Sequence, residues 1–174
     1  MIVDFNDFIG EIRIPNLFAE LGTEDAVNLA IQEEFQIFID KYEPIYMLQF
    51  FGDEETITNL YNYYKLPDEE KTDEVKNELL KSLKSIIPNF IAFYWFRNET
   101  IQNTGIGAVI PQGQNSKRIN NVDRCVFIWN EMVEKSRLLY RDYWNVSDKR
   151  ETYSGGNGFF PYEDIFNKIN SFGI

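Results

Sequence analysis

The segment NFIAFYWF, residues 89–96, constrains the fold more than any other part of the sequence. As a helix it places apolar side chains on every side, and such a helix is stable only when other elements cover it all round. The rest of the chain therefore has to pack around this segment. The sequence predicts that residues 89–96 form the central buried helix, with Phe90, Phe93 and Tyr94 in the core.

Other segments show apolar residues at helical spacing, and these segments predict the helices that surround the central one. The longest stripe runs from Val122 to Tyr143 and places Trp129 and Val133 in the core. Pro44 and Pro88 are expected to break or restart helices, since a proline inside a helix removes a backbone hydrogen bond. The helices predicted beside the central one cover residues 23–42, 44–51, 53–64, 75–86 and 122–143.

Capping residues support these boundaries. Gly52 is a favourable C-terminal cap for the helix before it, and Asp53 is positioned to open the next helix. The predicted fold class is mainly α: a single-domain helical bundle of about six helices over residues 1–174, with one β-hairpin or extended loop near residues 101–116.

The two ends of the chain differ from the periodic middle. Residues 1–20 alternate loosely and contain Pro15, which predicts an extended N-terminal arm with a short turn. Residues 144–174 form a C-terminal extension that contains the glycine-rich loop SGGNG and then PYEDIFNKINSF. The last segment predicts a short helix with Pro161 near its start.

The stretch from Thr100 to Ser116 contains no Asp, Glu, Lys or Arg, although it has three glycines and a small apolar centre. It lacks the Lys-Ser/Thr pair of a phosphate-binding loop and the third glycine of a dinucleotide fingerprint. Glycines around β-branched residues instead predict a hairpin or extended loop that contacts another protein chain. The interface residues expected there are Ile106, Val109, Ile110, Gln112 and Gln114. Folding of the loop over its own helices is the alternative.

Charge is distributed unevenly along the chain, whose net charge is −11. Residues 1–74 hold 18 acids and 4 bases, a net of −14, whereas residues 75–174 hold 10 acids and 13 bases, a net of +3. The first part would repel a phosphate backbone, and the second is only mildly basic. We therefore expect no direct sequence-specific contact with nucleic acid.

The sequence contains few residues of the kinds that support catalysis or metal binding. It contains no His and a single cysteine, Cys125, so the commonest general base and metal ligand are missing and no internal disulfide can form. The acidic clusters lack the alternating spacing of a calcium loop, and two of the four begin predicted helices, where carboxylates are favourable. We expect no enzyme activity, no cofactor and no metal site.

The N-terminus has no basic region followed by an apolar run, so it does not predict a signal peptide. The longest apolar run, residues 86–96, is interrupted by Pro88 and Asn89 and is too short to span a bilayer. These features predict a cytoplasmic protein without a membrane partner.

The order of these segments resembles a family of small α-helical head–tail connector (adaptor) proteins of long-tailed phages and prophages, particularly those of gut anaerobes. The resemblance is carried by YEPIYMLQFFGDE, PNFIAFYWFRNET, TGIGAVIPQGQNS, NVDRCVFIWNEMVEKSRLLYRDYW and the terminal INSFGI. It implies a structural virion subunit that assembles head to tail into a ring and contacts portal and tail proteins. The implied location is the host bacterial cytoplasm during assembly and then the virion. Residues 144–174 go beyond the minimal connector domain.

Two other functions fit the composition. An acidic protein-binding module, such as a nucleic-acid mimic that inhibits an enzyme, would space carboxylates like phosphates along one continuous surface. An aromatic carbohydrate-binding module would expose coplanar Tyr or Trp side chains.

Overall fold

A computed structural model describes residues 1–14, 17, 26–99, 102–104, 107–109, 121–144 and 166–170. The α-helices are α1 (Ala26–Phe51), α2 (Glu54–Tyr64), α3 (Glu74–Glu99) and α4 (Asn121–Trp144), and one-turn 3-10 helices lie at Phe5–Asp7, Gly10–Ile12 and Asp68–Glu70. The mainly helical class is confirmed. The number of about six helices is wrong for the described residues, which contain four α-helices.

The predicted breaks at Pro44 and Pro88 do not occur, because α1 and α3 each continue through their proline. Pro44 lies on the solvent side of α1, as does Asp40, whose carbonyl would have accepted the missing N–H bond. Water can satisfy that carbonyl, so the helix tolerates the proline. Pro88 is buried in the most apolar part of α3, where packing offsets the lost bond.

The central helix is α3, which packs against α4 and α1, and less extensively against α2. Its residues 86–93 are all buried, as are Trp95 and Phe96, so the prediction of a central buried helix over 89–96 is confirmed. Phe90, Phe93 and Val133 are buried as predicted, whereas Tyr94 and Trp129 are half-buried at the edge of the core.

The predicted stripe on the last long helix is rotated in the structure. Val122 is exposed, and the side of α4 that enters the core carries Cys125, Ile128, Met132, Ser136 and Leu139. On α2 the buried residues are Thr56, Leu60 and Tyr63, and Tyr61 and Tyr64 are half-buried.

Local capping follows the prediction. Asp53 is the N-cap of α2, and its Oδ1 accepts a hydrogen bond from the Thr56 N–H at 2.7 Å. Gly52 ends α1 with φ +74°, a conformation that favours glycine, and its N–H donates to the Leu48 carbonyl.

The N-terminal segment is part of the core. Ile2, Phe8 and Ile14 are almost fully buried. Arg124 on α4 donates hydrogen bonds from its guanidinium to the carbonyl of Glu11 at 3.0 and 2.7 Å, and its guanidinium carbon lies 3.7 Å from the centre of the Phe96 ring. These contacts fix the segment across α3 and α4.

Two short described segments follow α3 and α4 along the chain. Strands β1 (Gln102–Thr104) and β2 (Gly107–Val109) pair antiparallel, with Gln102 opposite Val109. The other residues of 101–116 lie outside the described part. The predicted final helix is wrong over residues 166–170, which have no regular secondary structure and contact α4.

Candidate protein interface

The solvent-facing side of α1 carries three large apolar residues beside charged ones such as Lys41 and Glu34. Ile37, Ile45 and Leu48, the α1 outer stripe, are 64%, 36% and 50% exposed. Their spacing places them on one side of the helix, and Pro44 is exposed on the same side. The opposite side carries the buried residues Phe35, Ile39 and Tyr46. α1 therefore carries apolar residues on both sides, which is typical of a helix that is covered on both sides.

The described helices differ in charge as the two parts of the sequence do. Residues 26–73, which include α1, α2 and the loop after them, carry eleven acids and three bases, a net of −8. The described residues of α3 and α4 carry seven acids and eight bases, a net of +1. The α1 outer stripe therefore belongs to the acidic part of the chain, with Glu34 and Asp40 exposed on the same helix.

A groove of about 430 Å³ lies between the N-terminal segment, α3 and α4, on another surface of the molecule. Ile9 and Phe127 line it and are 70% and 54% exposed. We call it the α3–α4 groove. Its remaining lining residues are Asn6, Asp7, Glu11, Ile12, Lys81, Lys84, Ser85, Asn89, Glu131 and Lys135.

Polar contacts fix the walls of the α3–α4 groove. The buried Asn89 side chain donates to Glu131 Oε2 at 2.8 Å, and Lys135 Nζ lies 3.0 Å from Glu131 Oε1. Lys84 Nζ lies 3.8 Å from an Asp7 carboxylate oxygen. Although partial burial works in the opposite direction, the Asp7 carboxylate raises the pKa of Lys84, which keeps this lysine charged. The groove is therefore a preformed surface with exposed apolar residues and fixed charges.

The structure places the predicted interface residues only in part. Val109 is the last residue of β2, where the structure describes the backbone but not the side chain. Ile106, Ile110, Gln112 and Gln114 lie outside the described residues. The prediction that residues 101–116 contact another chain stays a prediction.

Within the described ranges, no group of three or more Cys, Asp or Glu side chains is placed to hold a metal ion. Burial raises the pKa of the Cys125 thiol, so this side chain is mostly protonated at neutral pH. The tyrosines whose side chains the structure describes are buried or half-buried, and Tyr42 and Tyr94 stack on each other with ring centres 4.3 Å apart. None of the helices in this part of the chain combines the length and apolar character that crossing a bilayer requires.

Sequence reasoning missed the α1 outer stripe. The helical spacing of Ile37, Ile45 and Leu48 was available as a signal, because it places them opposite Phe35 and Ile39. The predicted break at Pro44 divided these residues between two helices, so the spacing was not followed across it. The α3–α4 groove had no such signal, since it joins residues from three distant segments.

Comparison with protein-family models, with curated proteins and with solved structures finds no match to this chain.

Proposed function

We propose that this protein is a structural subunit that assembles head to tail with copies of itself. The observation that carries the proposal is the α1 outer stripe. These apolar side chains lie along the exposed face of a helix whose other face is already packed. An exposed apolar face of this kind marks a surface that another chain covers. Exposed apolar residues aligned along one helix face differ from single apolar residues scattered over a surface, which need no partner.

The proposed contact is heterologous, which means that two different surfaces of the subunit meet. The exposed face of α1, with the outer stripe and the carboxylates of Glu34 and Asp40, is one surface. The α3–α4 groove supplies the other, because Ile9 and Phe127 offer apolar contact and Lys81 can face the carboxylates of the next copy. A repeated contact of this kind closes into a ring when its rotation allows closure.

The resemblance to head–tail connector proteins supports a ring between portal and tail as the biological form. On this proposal the portal and tail proteins bind the two faces of the ring, and the protein passes from the host bacterial cytoplasm into the virion. The uncharged segment 101–116, including Ile106, Val109 and Ile110, is then a further contact with a partner chain. The absence of His and the single Cys125 support a structural role without cofactor.

The test is the assembly state of a double variant, Ile37→Ser with Leu48→Ser. We expect the wild-type protein to associate as its concentration rises and the double variant to associate much less at an unchanged melting temperature. Leu138→Ser is the matched control, since Leu138 is exposed on α4, away from the stripe. Native mass spectrometry gives the assembly state, and electron microscopy shows whether the assemblies are rings.

The salt dependence of association provides a second test. The contact pairs surfaces of different charge, so association should weaken near 1 M salt, where the Debye length is about 3 Å. A two-fold symmetric dimer that is indifferent to salt, or equal association of the double variant and the wild type, would overturn the proposal.

A further inference from the structure

The segment 166–170 hydrogen-bonds to α4 mainly through its backbone. The Trp129 indole Nε1–H donates to the Asn167 carbonyl at 2.7 Å. The side-chain amide of Asn130 donates to the Ile169 carbonyl and accepts from the Ile169 N–H, both at 2.9 Å. Asn130 therefore pairs with the segment as a neighbouring β-strand would, and α4 holds a short peptide without contributing a strand.

Phe166 anchors this segment in the core. Its side chain is buried, and its ring stacks on Tyr46 of α1 with ring centres 5.3 Å apart. Phe90 of α3 and Trp129 of α4 approach it edge-on at 6.1 and 6.2 Å. Three helices therefore form one aromatic pocket, and Arg137 Nη2 donates to the Phe166 carbonyl at 3.3 Å at its edge.

A charged pair completes the site at the surface. Lys168 Nζ forms an ion pair with Glu134 Oε1, and both side chains are about half exposed. The hydrogen bond from Lys168 lowers the pKa of Glu134, so the pair is charged at neutral pH. We call the aromatic pocket together with Trp129, Asn130 and Glu134 the segment site.

We propose that in the assembled protein the segment site of one copy is filled by residues 166–170 of the neighbouring copy. This exchange rests on the proposed head-to-tail assembly and names the partner contact that would tie adjacent subunits together. It requires no new bonds, because the same side chains bind the same backbone whether the segment comes from the same chain or from the next.

The length of the connection permits this exchange. Trp144 ends α4 and Phe166 begins the segment, so residues 145–165 join them. Twenty-one residues can span up to ~70 Å when extended, at 3.3–3.6 Å per residue. In a ring, assembly holds the segment of the neighbouring copy close to the segment site. The entropy of the linker therefore does not by itself favour binding of the segment from the same chain.

The test uses two different copies of the protein that each carry one cysteine. One copy has Glu134→Cys and the other has Lys168→Cys, both with Cys125→Ala, and they are co-expressed with tags of different mass. A short thiol-reactive cross-linker can join these positions, because the native side chains are in direct contact. We expect a covalent dimer of the two copies in the assembled fraction, identified by mass spectrometry under denaturing conditions.

Two controls make the result specific. The first control co-expresses the Lys168→Cys copy with a Glu54→Cys copy, whose cysteine is at an exposed position on α2. This pair measures cross-linking by chance encounters, and we expect it to give no comparable dimer. A single copy with both Glu134→Cys and Lys168→Cys should give a series of covalent multimers when assembled. Cross-linking of this double variant within one chain, together with no dimer from the mixed copies, would overturn the exchange.

The outcome separates this inference from the proposed function. If the protein assembles and loses assembly with the Ile37→Ser, Leu48→Ser double variant, yet forms no covalent dimer, the exchange is wrong and the head-to-tail contact stands. If the protein does not assemble at all, both proposals are overturned.

Discussion

Glu43 Oε1 accepts a hydrogen bond from the backbone N–H of Ile2 at 2.8 Å, although 41 residues separate them in the chain. Its Oε2 accepts from the next N–H, that of Val3, at 3.0 Å. The side chain is fully buried, so one carboxylate on α1 satisfies two buried backbone donors of the N-terminal segment. Together with burial, which is the larger cause, this carboxylate also raises the pKa of Tyr61.

Removal of this carboxylate should destabilise the protein strongly. Glu43→Ala leaves both N–H groups without an acceptor, and each unsatisfied buried group costs about 1–3 kcal/mol. Glu34→Ala is the control, because Glu34 is exposed on the same helix. Urea unfolding measures both variants, and equal midpoints for the two would contradict the anchoring role of Glu43.

Pro44→Ala should stabilise the protein. Proline is about 3 kcal/mol less favourable than alanine inside a helix, and alanine restores the N–H that can donate to the Asp40 carbonyl. The greater flexibility of the unfolded alanine variant offsets about 0.4–1 kcal/mol of this gain. We expect a higher melting temperature by calorimetry, whereas an unchanged or lower value would mean that the ring of Pro44 makes a stabilising contact.

The sequence predicted the parts of the fold that depend on neighbouring residues. The Asp53 cap and the Gly52 turn are local, and the apolar character of residues 89–96 required burial in any helical arrangement. Pro44 was misjudged because its effect depends on whether the freed carbonyl faces water, which is a property of the packed bundle. The pairing of Glu43 with Ile2 and the segment site around Phe166 join distant parts of the chain, so no spacing rule could identify them.

Phe90 and Phe127 provide a direct comparison of burial. Phe90 is fully buried and contacts Tyr46, Tyr94 and Trp129. Phe90→Ala should therefore cost about 3–5 kcal/mol in the free energy of unfolding, as core aromatic truncations do. Phe127 is exposed in the α3–α4 groove, so Phe127→Ala should change stability by less than about 0.5 kcal/mol. Similar losses from the two variants, measured by chemical denaturation, would place Phe127 in the core.

Cys125 should react slowly with thiol reagents in the folded protein. Only the thiolate attacks such reagents, and a raised pKa lowers the thiolate fraction at any given pH below it. The rate should increase as the pH rises towards the raised pKa, and it should increase sharply in denaturant at constant pH. Alkylation followed by intact-mass measurement tests this. A folded protein that reacts at neutral pH as fast as the unfolded chain would contradict the burial of Cys125.

The last prediction concerns the ribbon of β1 and β2. Within the described residues these strands pair only with each other, and a two-stranded ribbon alone is marginally stable in water. The segment from Thr100 to Ser116 has no charged residue to protect an exposed edge, so a partner chain is the expected source of cover. Replacement of residues 104–114 by a Gly-Ser bridge should keep the melting temperature and abolish assembly.

The point variant Val109→Lys tests the same surface without shortening the chain. A lysine on an edge strand opposes pairing with another strand, so this variant should also weaken assembly while leaving the helical core intact. Thermal melting separates the two possible roles of the segment. If the Gly-Ser replacement unfolds or aggregates, the segment covers the protein's own helices, and the contact with another chain is wrong.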